Sequence, residues 1–377
     1  MARSCDSDRQ HALARASEGR PNRGLPLSIA SPVRHRPQPR RPLGSIAPDI
    51  RRSAAGFTLL ELMIAMTIGV FLIGALVVVL VNNSRTRYEL EKSIGQIQNA
   101  RYALQVLSDD LVNAGFYGEA IIGGTSPPNT KICVKPEEMQ HAETLGAAIL
   151  GLDNVTAIPQ DCDWEKPALE GTDIIMVRRA STCAAGSTGC EPFVAGLPHI
   201  QKPVCTDSPP FIVGTQASTF VGTTQPCNAE TPTLAPIYRL QNHLYYVELR
   251  AIPSYEGLVP TLMRAELTAD GYQGIPIAEG IEHLHFEYGI DTTRDGEPDE
   301  YLTAKGINDG DPDDWLNVVA VRVYLIARNL RSTHGYQDNR TYQLGGCQVP
   351  LEEIDRKFKR QAYSTTVRLN NIAGQRE

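Results

Sequence analysis

The chain has 377 residues, enough for one membrane helix and one or two globular domains. Its charge is unevenly divided. Residues 1–56 contain 11 arginines and four acids, a net charge of 11 − 4 = +7, whereas the whole chain has −7, so the part after residue 56 has −7 − 7 = −14. An anionic main part argues against sequence-independent binding to nucleic acids, which requires a basic surface, and we predict no direct nucleic-acid binding.

An apolar segment follows the basic amino-terminal region. Residues 1–56 are rich in arginine and proline and are predicted to be a disordered leader. Next come Phe57-Thr58-Leu59-Leu60-Glu61 and then 20 uncharged residues, Leu62 to Val81. A helix of that length crosses a bilayer core of roughly 30 Å, so we assign residues 57–81 to a transmembrane helix half. Glu61 is costly at such a place, which makes it a candidate functional residue.

Two other kinds of amino terminus compete with this assignment. A conventional secretory signal has an apolar stretch of about 7–15 residues followed by a cleavage site of small residues. Here the apolar run is longer, and Asn82-Asn83-Ser84-Arg85 is a poor cleavage site. The remaining alternative is an uncut signal anchor. In either case the arginines before residue 56 predict a cytoplasmic amino terminus and an exported carboxyl-terminal part.

A second helical pattern continues beyond the apolar run. Apolar residues recur at spacings of three, four and seven, as on one face of an amphipathic helix that packs on a domain: Leu90, Ile94, Ile97, Leu104, Leu107 and Leu111. We predict that this continuation covers residues 82–114 and ends at Asn113-Ala114-Gly115, where a glycine suits the last position.

Residues 115–377 are predicted to form a β-rich domain. Glycine, proline, threonine and cysteine are frequent up to about residue 235, with short apolar runs between long loops. The predicted strands are Asp173–Arg178, Pro210–Val213, His243–Leu249, Thr261–Leu267, Ile281–Tyr288, Val318–Ile326 and Thr365–Leu369. The third and fourth of these strands are expected to form a hairpin around residues 253–257.

Seven of the eight cysteines follow the apolar segment, in the part expected to be exported, where disulfides are permitted. Cys183 and Cys190 enclose a short, glycine-rich loop and are candidates for a local bridge. Cys133 with Cys162, and Cys205 with Cys227, are candidates from proximity alone, because sequence does not determine connectivity. This leaves Cys347 over as the unpaired or mispaired residue. Zinc is the alternative use of cysteine, but the chain has no CxxC pair.

One acidic segment resembles the start of a calcium loop. Asp291, Thr293 and Asp295 occupy the first, third and fifth places, with a glycine at the sixth. The acid expected at the twelfth place is absent, although Asp299 or Glu300 could substitute for it. The alternative is a solvated acidic turn. Calcium is therefore the one cofactor for which the sequence offers candidate ligands.

No catalytic residues are predicted. The chain contains no Gly-x-Ser-x-Gly elbow, P-loop or HExxH motif. His283 and His285 alternate on one predicted strand and could form a metal pair, but a solvated strand face is the expected reading. We therefore predict a protein that is not an enzyme.

The amino-terminal pattern resembles the class III signal of type IV pilins and type II secretion pseudopilins. Further segments resemble the PilW-type minor pilins of that superfamily: Ala114–Gly118, Gly171–Ile175, Tyr245–Val247, Ala278–Glu282, Tyr288–Asp291 and Trp315–Val323. The resemblance extends from Gly56 to the carboxyl terminus, and only the cysteine-rich middle departs from it.

The resemblance implies a fold and a processing step. The fold would be α+β and pilin-like, a long amino-terminal helix packed on an antiparallel β-sheet domain with long cysteine-containing loops. A prepilin peptidase would cut between Gly56 and Phe57 and methylate Phe57. Glu61 would then pair with the amino group of a neighbouring subunit during assembly.

The resemblance also implies partners and a location. The partners would be other minor pilins, the major pilin, the inner-membrane assembly machinery and membrane lipid. The protein would be a single-pass inner-membrane protein with a periplasmic carboxyl-terminal domain, and would later reach the pilus or cell surface as a structural component. Two alternatives stay open: a minor pseudopilin of a type II secretion system, and a membrane-anchored periplasmic protein that binds calcium or another ligand.

Overall fold

In a computed structural model of the chain, the described residues are 56–122, 126–159, 162, 168–205, 208–224, 226–227, 231, 233–255, 257–349 and 356–375. Of the predicted leader, residues 1–56, only Gly56 belongs to them, and residues 1–55 lie outside them. The chain divides into two compact units, which meet between residues 84 and 85. The first described element, helix α1, runs through this boundary.

Helix α1 spans Leu59–Val112. It ends where predicted, because Gly115 adopts a φ of +72°, a conformation that glycine adopts without strain. The predicted buried face is wrong in part: Leu90 and Ile94 are 56% and 51% exposed. The predicted Leu107 and Leu111 are buried, and so are four residues outside the predicted face: Gln96, Ala100, Ala103 and Asp110.

The carboxyl-terminal unit, from residue 85 onward, contains two main sheets and a hairpin, and every strand pairing in it is antiparallel. In chain order the strands are β1 Ile149–Val155, β2 Thr172–Ala180, β3 His199–Gln201, β4 Ile212–Gly214, β5 Ile237–Ala251, β6 Leu258–Thr268, β7 Gly271–Glu279, β8 Ile281–Ile290, β9 Glu300–Leu302, β10 Val318–Arg328, β11 Tyr342–Leu344, β12 Cys347–Val349 and β13 Arg360–Arg368. The short helices are α2 Ala142–Gly146, α3 Ala304–Asp309 and α4 Asn370–Ala373.

The larger sheet has seven strands in the order β1-β2-β5-β3-β4, with β6 and β7 continuing from β5. The second sheet has the order β13-β10-β8-β9, and β11 pairs with β12 alone. One main hydrophobic core includes Leu107 of α1, Ile175 of β2, Tyr245 of β5, Phe286 of β8 and Val321 of β10. The core therefore joins α1 to both sheets, and the predicted α+β fold of helix and antiparallel sheet is confirmed.

Candidate processing and assembly site

The residues predicted for processing lie immediately before α1. Gly56 and Phe57 precede the first helical residue, and Phe57 is 87% exposed. A Cβ atom added to Gly56 would meet no atom of the described residues within 4 Å. Packing among these residues thus gives no reason for glycine here, and a protein that recognises this segment could supply one.

Thr58 and Glu61 form a reciprocal cap at the start of α1. The Thr58 backbone N–H and hydroxyl each donate to Glu61 Oε2 at 3.0 Å, and the Glu61 N–H donates to Thr58 Oγ1 at 3.2 Å. This is the capping box, which satisfies two N–H groups that a helix start leaves without partners. The sequence signal of this cap is Thr58-x-x-Glu61 before an apolar run.

The first half of α1 is apolar and uncovered. Among the described residues, α1 is the one helix long and apolar enough to cross a membrane, and none of its most apolar 18-residue window is buried within the protein. Leaving large apolar side chains in water is unfavourable, so this segment requires a lipid or protein environment.

A buried carboxylate fastens the second half of α1 to the larger sheet. Asp110 is 3% exposed and accepts hydrogen bonds from Arg179 Nε at 2.5 Å and Tyr245 Oη at 2.8 Å. His243 Nδ1 lies 2.6 Å from the same carboxylate. Burial acts to raise the pKa of Asp110, but His243 and Arg179 outweigh it and hold the pKa well below its usual range. Asp110 therefore remains charged inside the protein.

A second buried carboxylate connects the two sheets. Asp173 in β2 accepts hydrogen bonds from the N–H groups of Asn154, at 2.9 Å, and Phe286, at 3.0 Å, and its carboxylate lies 2.7 Å from Nδ1 of His285 in β8. His285 is only 7% exposed, so the predicted solvated strand face is wrong at this residue. Asp173 belongs to the Gly171–Ile175 segment that resembled the PilW type, and the structure assigns that segment a structural role.

The segment predicted as a calcium loop satisfies its own backbone. The Asp291 carboxylate accepts from the N–H groups of Arg294 and Gly296 at 2.6 and 3.1 Å, and Asp299 accepts from the N–H of Thr293 at 3.0 Å. Thr293 Oγ1 also donates to Asp299 Oδ1 at 3.4 Å, while Asp295 accepts from Glu297 N–H. Among the described residues, no group of three or more His, Cys, Asp or Glu side chains is arranged to hold a metal ion.

The three predicted cysteine pairs are at disulfide distance. The Cα atoms are 4.8 Å apart for Cys133 and Cys162, 5.8 Å for Cys183 and Cys190, and 5.6 Å for Cys205 and Cys227. Cys347, which sequence proximity left over, is itself disulfide-bonded, so the expectation that it is unpaired is wrong. Pairing by proximity did not anticipate that bond.

Two protein families match parts of the chain. Residues 51–77 match the prokaryotic N-terminal methylation motif, and residues 244–371 match the PilW type IV pilus-assembly protein family. The first match covers Gly56, Phe57 and Glu61, and the second contains β8 to β13.

Comparison with individual proteins finds similar solved structures, among them a type IV-like pilin. No curated protein matches the chain. The type IV-like pilin TTHA1219 from Thermus thermophilus has 12% sequence identity and a TM-score of 0.33, over 73% of this chain and 97% of its own.

The first family match covers the apolar start of α1, and the second covers most of β5 and all of β6 to β13, so it includes strands of both main sheets. They confirm the predicted resemblance: residues 51–77 are similar to the prokaryotic N-terminal methylation motif, and residues 244–371 are similar to the PilW type IV pilus-assembly protein family.

Proposed function

We propose that this chain is a minor pilin that takes part in priming or assembling a type IV pilus after a prepilin peptidase cuts between Gly56 and Phe57. In this proposal residues 1–56 are removed, residues 57–81 anchor the protein in the inner membrane, and residues 115–377 form a periplasmic domain. The protein is structural and not catalytic. Its partners are other minor pilins, the major pilin and the inner-membrane assembly machinery.

The observation that carries the proposal is the junction at residue 56. An exposed, non-helical Gly56-Phe57 pair lies just before a helix whose apolar first half is not covered by the other described residues. A peptidase at the membrane surface requires an accessible bond, and a filament core requires an apolar helix that other subunits can contact. The match to the methylation motif supports the same interpretation.

Glu61 is proposed to have two successive partners. In the single chain its carboxylate accepts from Thr58, as the capping box requires. After cleavage, Phe57 carries an amino group, and a Glu61 carboxylate of a neighbouring subunit is its proposed ion-pair partner. Low dielectric strengthens that pair, while either charge alone in an apolar environment is expensive.

The first test is the amino terminus of the protein extracted from membranes, identified by mass spectrometry with and without the prepilin peptidase. We expect a peptide that begins with N-methylated Phe57 only when the peptidase is present. Gly56→Ala should be cut poorly. An intact leader in both strains would refute processing and favour the membrane-anchored binding protein.

The second test separates capping from assembly. Glu61→Gln retains an oxygen that can accept from Thr58 but removes the charge, so it should be cut normally and yet reduce the number of pili. Thr58→Val, which removes the capping hydroxyl and keeps Glu61, is the matched control and should assemble. Normal pilus number in Glu61→Gln would contradict the proposed role of Glu61. If deletion of this chain abolished protein secretion and left the pili intact, the chain would instead belong to a type II secretion system.

A further inference from the structure

Four segments of the carboxyl-terminal unit meet where α1 enters it, and we call the surface that they form the entry surface. It consists of residues 85–92 of α1, the turn between β5 and β6 with its flanks at residues 249–258, residues 331–340 and residues 356–359. Arg331 donates to Tyr88 Oη at 3.2 Å and to Ser254 O at 3.3 Å, and Glu89 pairs with Lys359 Nζ at 2.9 Å. These contacts bring the four segments together on one face of the unit.

The entry surface is basic. Its four segments hold nine Lys and Arg against four acids, 9 − 4 = +5. Residues 350–355, outside the described part of the chain, add three acids, which leaves 5 − 3 = +2. Arg85, Arg87 and Lys357 are exposed, and none of the three forms an ion pair with another described residue. These three cations therefore face the surroundings of the unit, where an anionic partner can reach them.

The entry surface also exposes large apolar and aromatic side chains. Four of them are 40–56% exposed: Tyr88, Leu90, Leu249 and Leu258. Tyrosine is enriched at the boundary between a membrane and water, because its ring is apolar and its hydroxyl is polar. Lysine and arginine suit the same boundary, because their long stems lie along apolar surface while their charged ends reach the headgroups. Leucines, tyrosine and cations on one face are thus typical of a surface that lies on a membrane.

The entry surface begins only a few residues after the apolar run of α1. That run ends at Val81, and three polar residues separate it from Arg85 within the same helix. At 1.5 Å per residue, Arg85 lies about 6 Å and Tyr88 about 10 Å along the helix from Val81. The polar headgroup layer on each side of a bilayer core is roughly 5–8 Å thick. When the apolar run spans the core, the side chains of the entry surface therefore reach the headgroup layer.

We propose that the entry surface docks on the anionic lipid headgroups of the membrane that α1 spans. Arg85, Arg87 and Lys357 contact the lipid phosphates, and the exposed leucines and tyrosine lie at the boundary with the bilayer core. Each Lys or Arg near an anionic bilayer surface strengthens binding about fivefold. Docking holds the carboxyl-terminal unit on the membrane before it enters a filament. The proposal rests on the proposed function in one respect, because it requires that α1 be anchored in a membrane.

The far end of the unit provides a reference within the same chain. Residues 291–314 hold nine acids and two basic residues, 2 − 9 = −7, so an anionic membrane does not attract them. Strand β10 begins at Val318, shortly after these residues, and ends at Arg328, shortly before residues 331–340. Ten steps at a rise of 3.3 Å separate the two ends by about 33 Å. Lys305 is exposed at the acidic end and lies beyond the reach of docked lipid.

The test measures how fast lysine amines of the full chain react with an acetylating reagent when the protein is held in lipid nanodiscs. One set of discs contains phosphatidylcholine alone, and the other contains phosphatidylcholine mixed with anionic phosphatidylglycerol. Mass spectrometry then gives the acetylated fraction of each lysine. We expect Lys357 to react about fivefold more slowly in the anionic discs, whereas Lys305 should react equally fast in both. Salt should reduce the protection of Lys357, because it screens exposed charges over about 10 Å at 0.1 M.

Two matched variants separate docking from mere nearness to a charged bilayer. Arg85→Gln with Arg87→Gln removes two of the three cations, so Lys357 should lose most of its protection in the anionic discs. Arg101→Gln removes another exposed cation of α1, about 21 Å further along the helix than Arg87, and should leave the protection intact. All three arginines are exposed, so folding should persist, and the circular dichroism spectrum of each variant checks this.

Three results would overturn the proposal: equal reactivity of Lys357 in both kinds of disc, full protection in the Arg85 and Arg87 variant, or equal loss in Arg101→Gln. Protection by inorganic phosphate added to the phosphatidylcholine discs would also overturn it, because the ligand would then be a soluble anion. A chain that did not enter the discs would refute the membrane anchor and this proposal with it. The measurement requires neither cleavage at Gly56 nor pili, so its failure is distinguishable from a failure of the proposed processing.

Discussion

Asp110 is a charged residue in the interior, and its surroundings explain how the fold tolerates it. Arg179, His243 and Tyr245 supply the hydrogen bonds and charge that replace water around the carboxylate. Asp110→Ala would leave Arg179 and His243 without this partner. We therefore expect a loss of about 3 kcal/mol in the free energy of unfolding, measured by denaturant titration of the mature protein in detergent.

The adjacent acid provides the control for that measurement. Asp109 is exposed on the other side of the helix, so Asp109→Ala should change the free energy of unfolding by less than about 0.5 kcal/mol.

Because the pKa of Asp110 is depressed, the stability that Asp110 contributes is present above the ordinary aspartate pKa and is lost as the pH falls toward and below that pKa. Equal effects of the two substitutions would refute the role of Asp110 as an anchor.

His285 makes the junction between the sheets sensitive to pH in the opposite direction. Burial acts to lower the pKa of His285, but Asp173, Asp153 and Glu287 outweigh it, so the pKa is raised. A raised pKa means that the protonated form stabilises the fold. This contribution is complete below the unfolded pKa of about 6.5 and is lost as the pH rises through the folded value.

The prediction concerns the difference between the wild type and His285→Gln. At pH 5.5 the wild type should be more stable by about 2 kcal/mol, and the gap should narrow at pH 8.5. Thermal unfolding at the two pH values measures it, with the exposed His334→Gln as the control. A gap that is constant with pH, or that widens at high pH, would contradict the assignment of the charge to His285.

The elements that the sequence predicted well are those whose pattern is local. The alternation in β10 placed Val319, Val321, Val323 and Leu325 on one face, and all four are buried. The hairpin of β5 and β6 around residues 253–257 is confirmed, as is the end of α1. Each of these predictions depends on residues within one or two turns or strands.

The predictions that were wrong depended on the shape of a distant partner. The face of α1 that packs on the sheets contains two small residues, Ala100 and Ala103. Gln96 and Asp110 lie on the same face, and their polar atoms form hydrogen bonds with β10 and β5. Leu90 and Ile94 lie on another face. Hydrophobic periodicity could not identify the buried face. Small alanines let the helix approach the sheets closely, but they add little to an apolar pattern. A buried acid such as Asp110 can be recognised only together with its partners, which lie elsewhere in the chain. Strands β1 and β7 were missed for a similar reason, since Gly151, Gly274 and Pro276 interrupt their strand pattern.

Strand β1 also illustrates a constraint between elements. A Cβ atom at Gly151 would overlap the hydroxyl of Tyr288 in β8, which is fully buried. That hydroxyl has no hydrogen-bond partner among the described residues. We expect Gly151→Ala to cost about 1–3 kcal/mol in the free energy of unfolding through overpacking.

A double-mutant cycle tests this contact. Tyr288→Phe removes the hydroxyl, the nearest atom that the new methyl group would meet, although the ring carbon Cζ at 2.6 Å remains, so the relief is partial. The substitution should itself be close to neutral because it loses no described hydrogen bond. The combined variant should therefore be more stable than the sum of the single effects predicts, by about 1 kcal/mol. Strict additivity would show that Gly151 is required for some other reason.

The disulfides are placed differently with respect to the core, and that placement predicts how much each stabilises the whole unit. Cys133 and Cys162 are 1% and 2% exposed and belong to the main core, whereas Cys183 and Cys190 are only partly buried. The first pair is 29 residues apart in sequence and the second pair is 7 apart, and a bridge that closes a longer loop restricts the unfolded chain more.

Replacing Cys133 and Cys162 with alanine should lower the free energy of unfolding by about 3–4 kcal/mol, and replacing Cys183 and Cys190 should lower it distinctly less. Urea unfolding of the two oxidised double variants measures the difference. If replacing the second pair lowered the free energy of unfolding as much as replacing the first, the cysteine-rich loops would contribute to the stability of the core. Burial would then not predict how much each disulfide stabilises the unit.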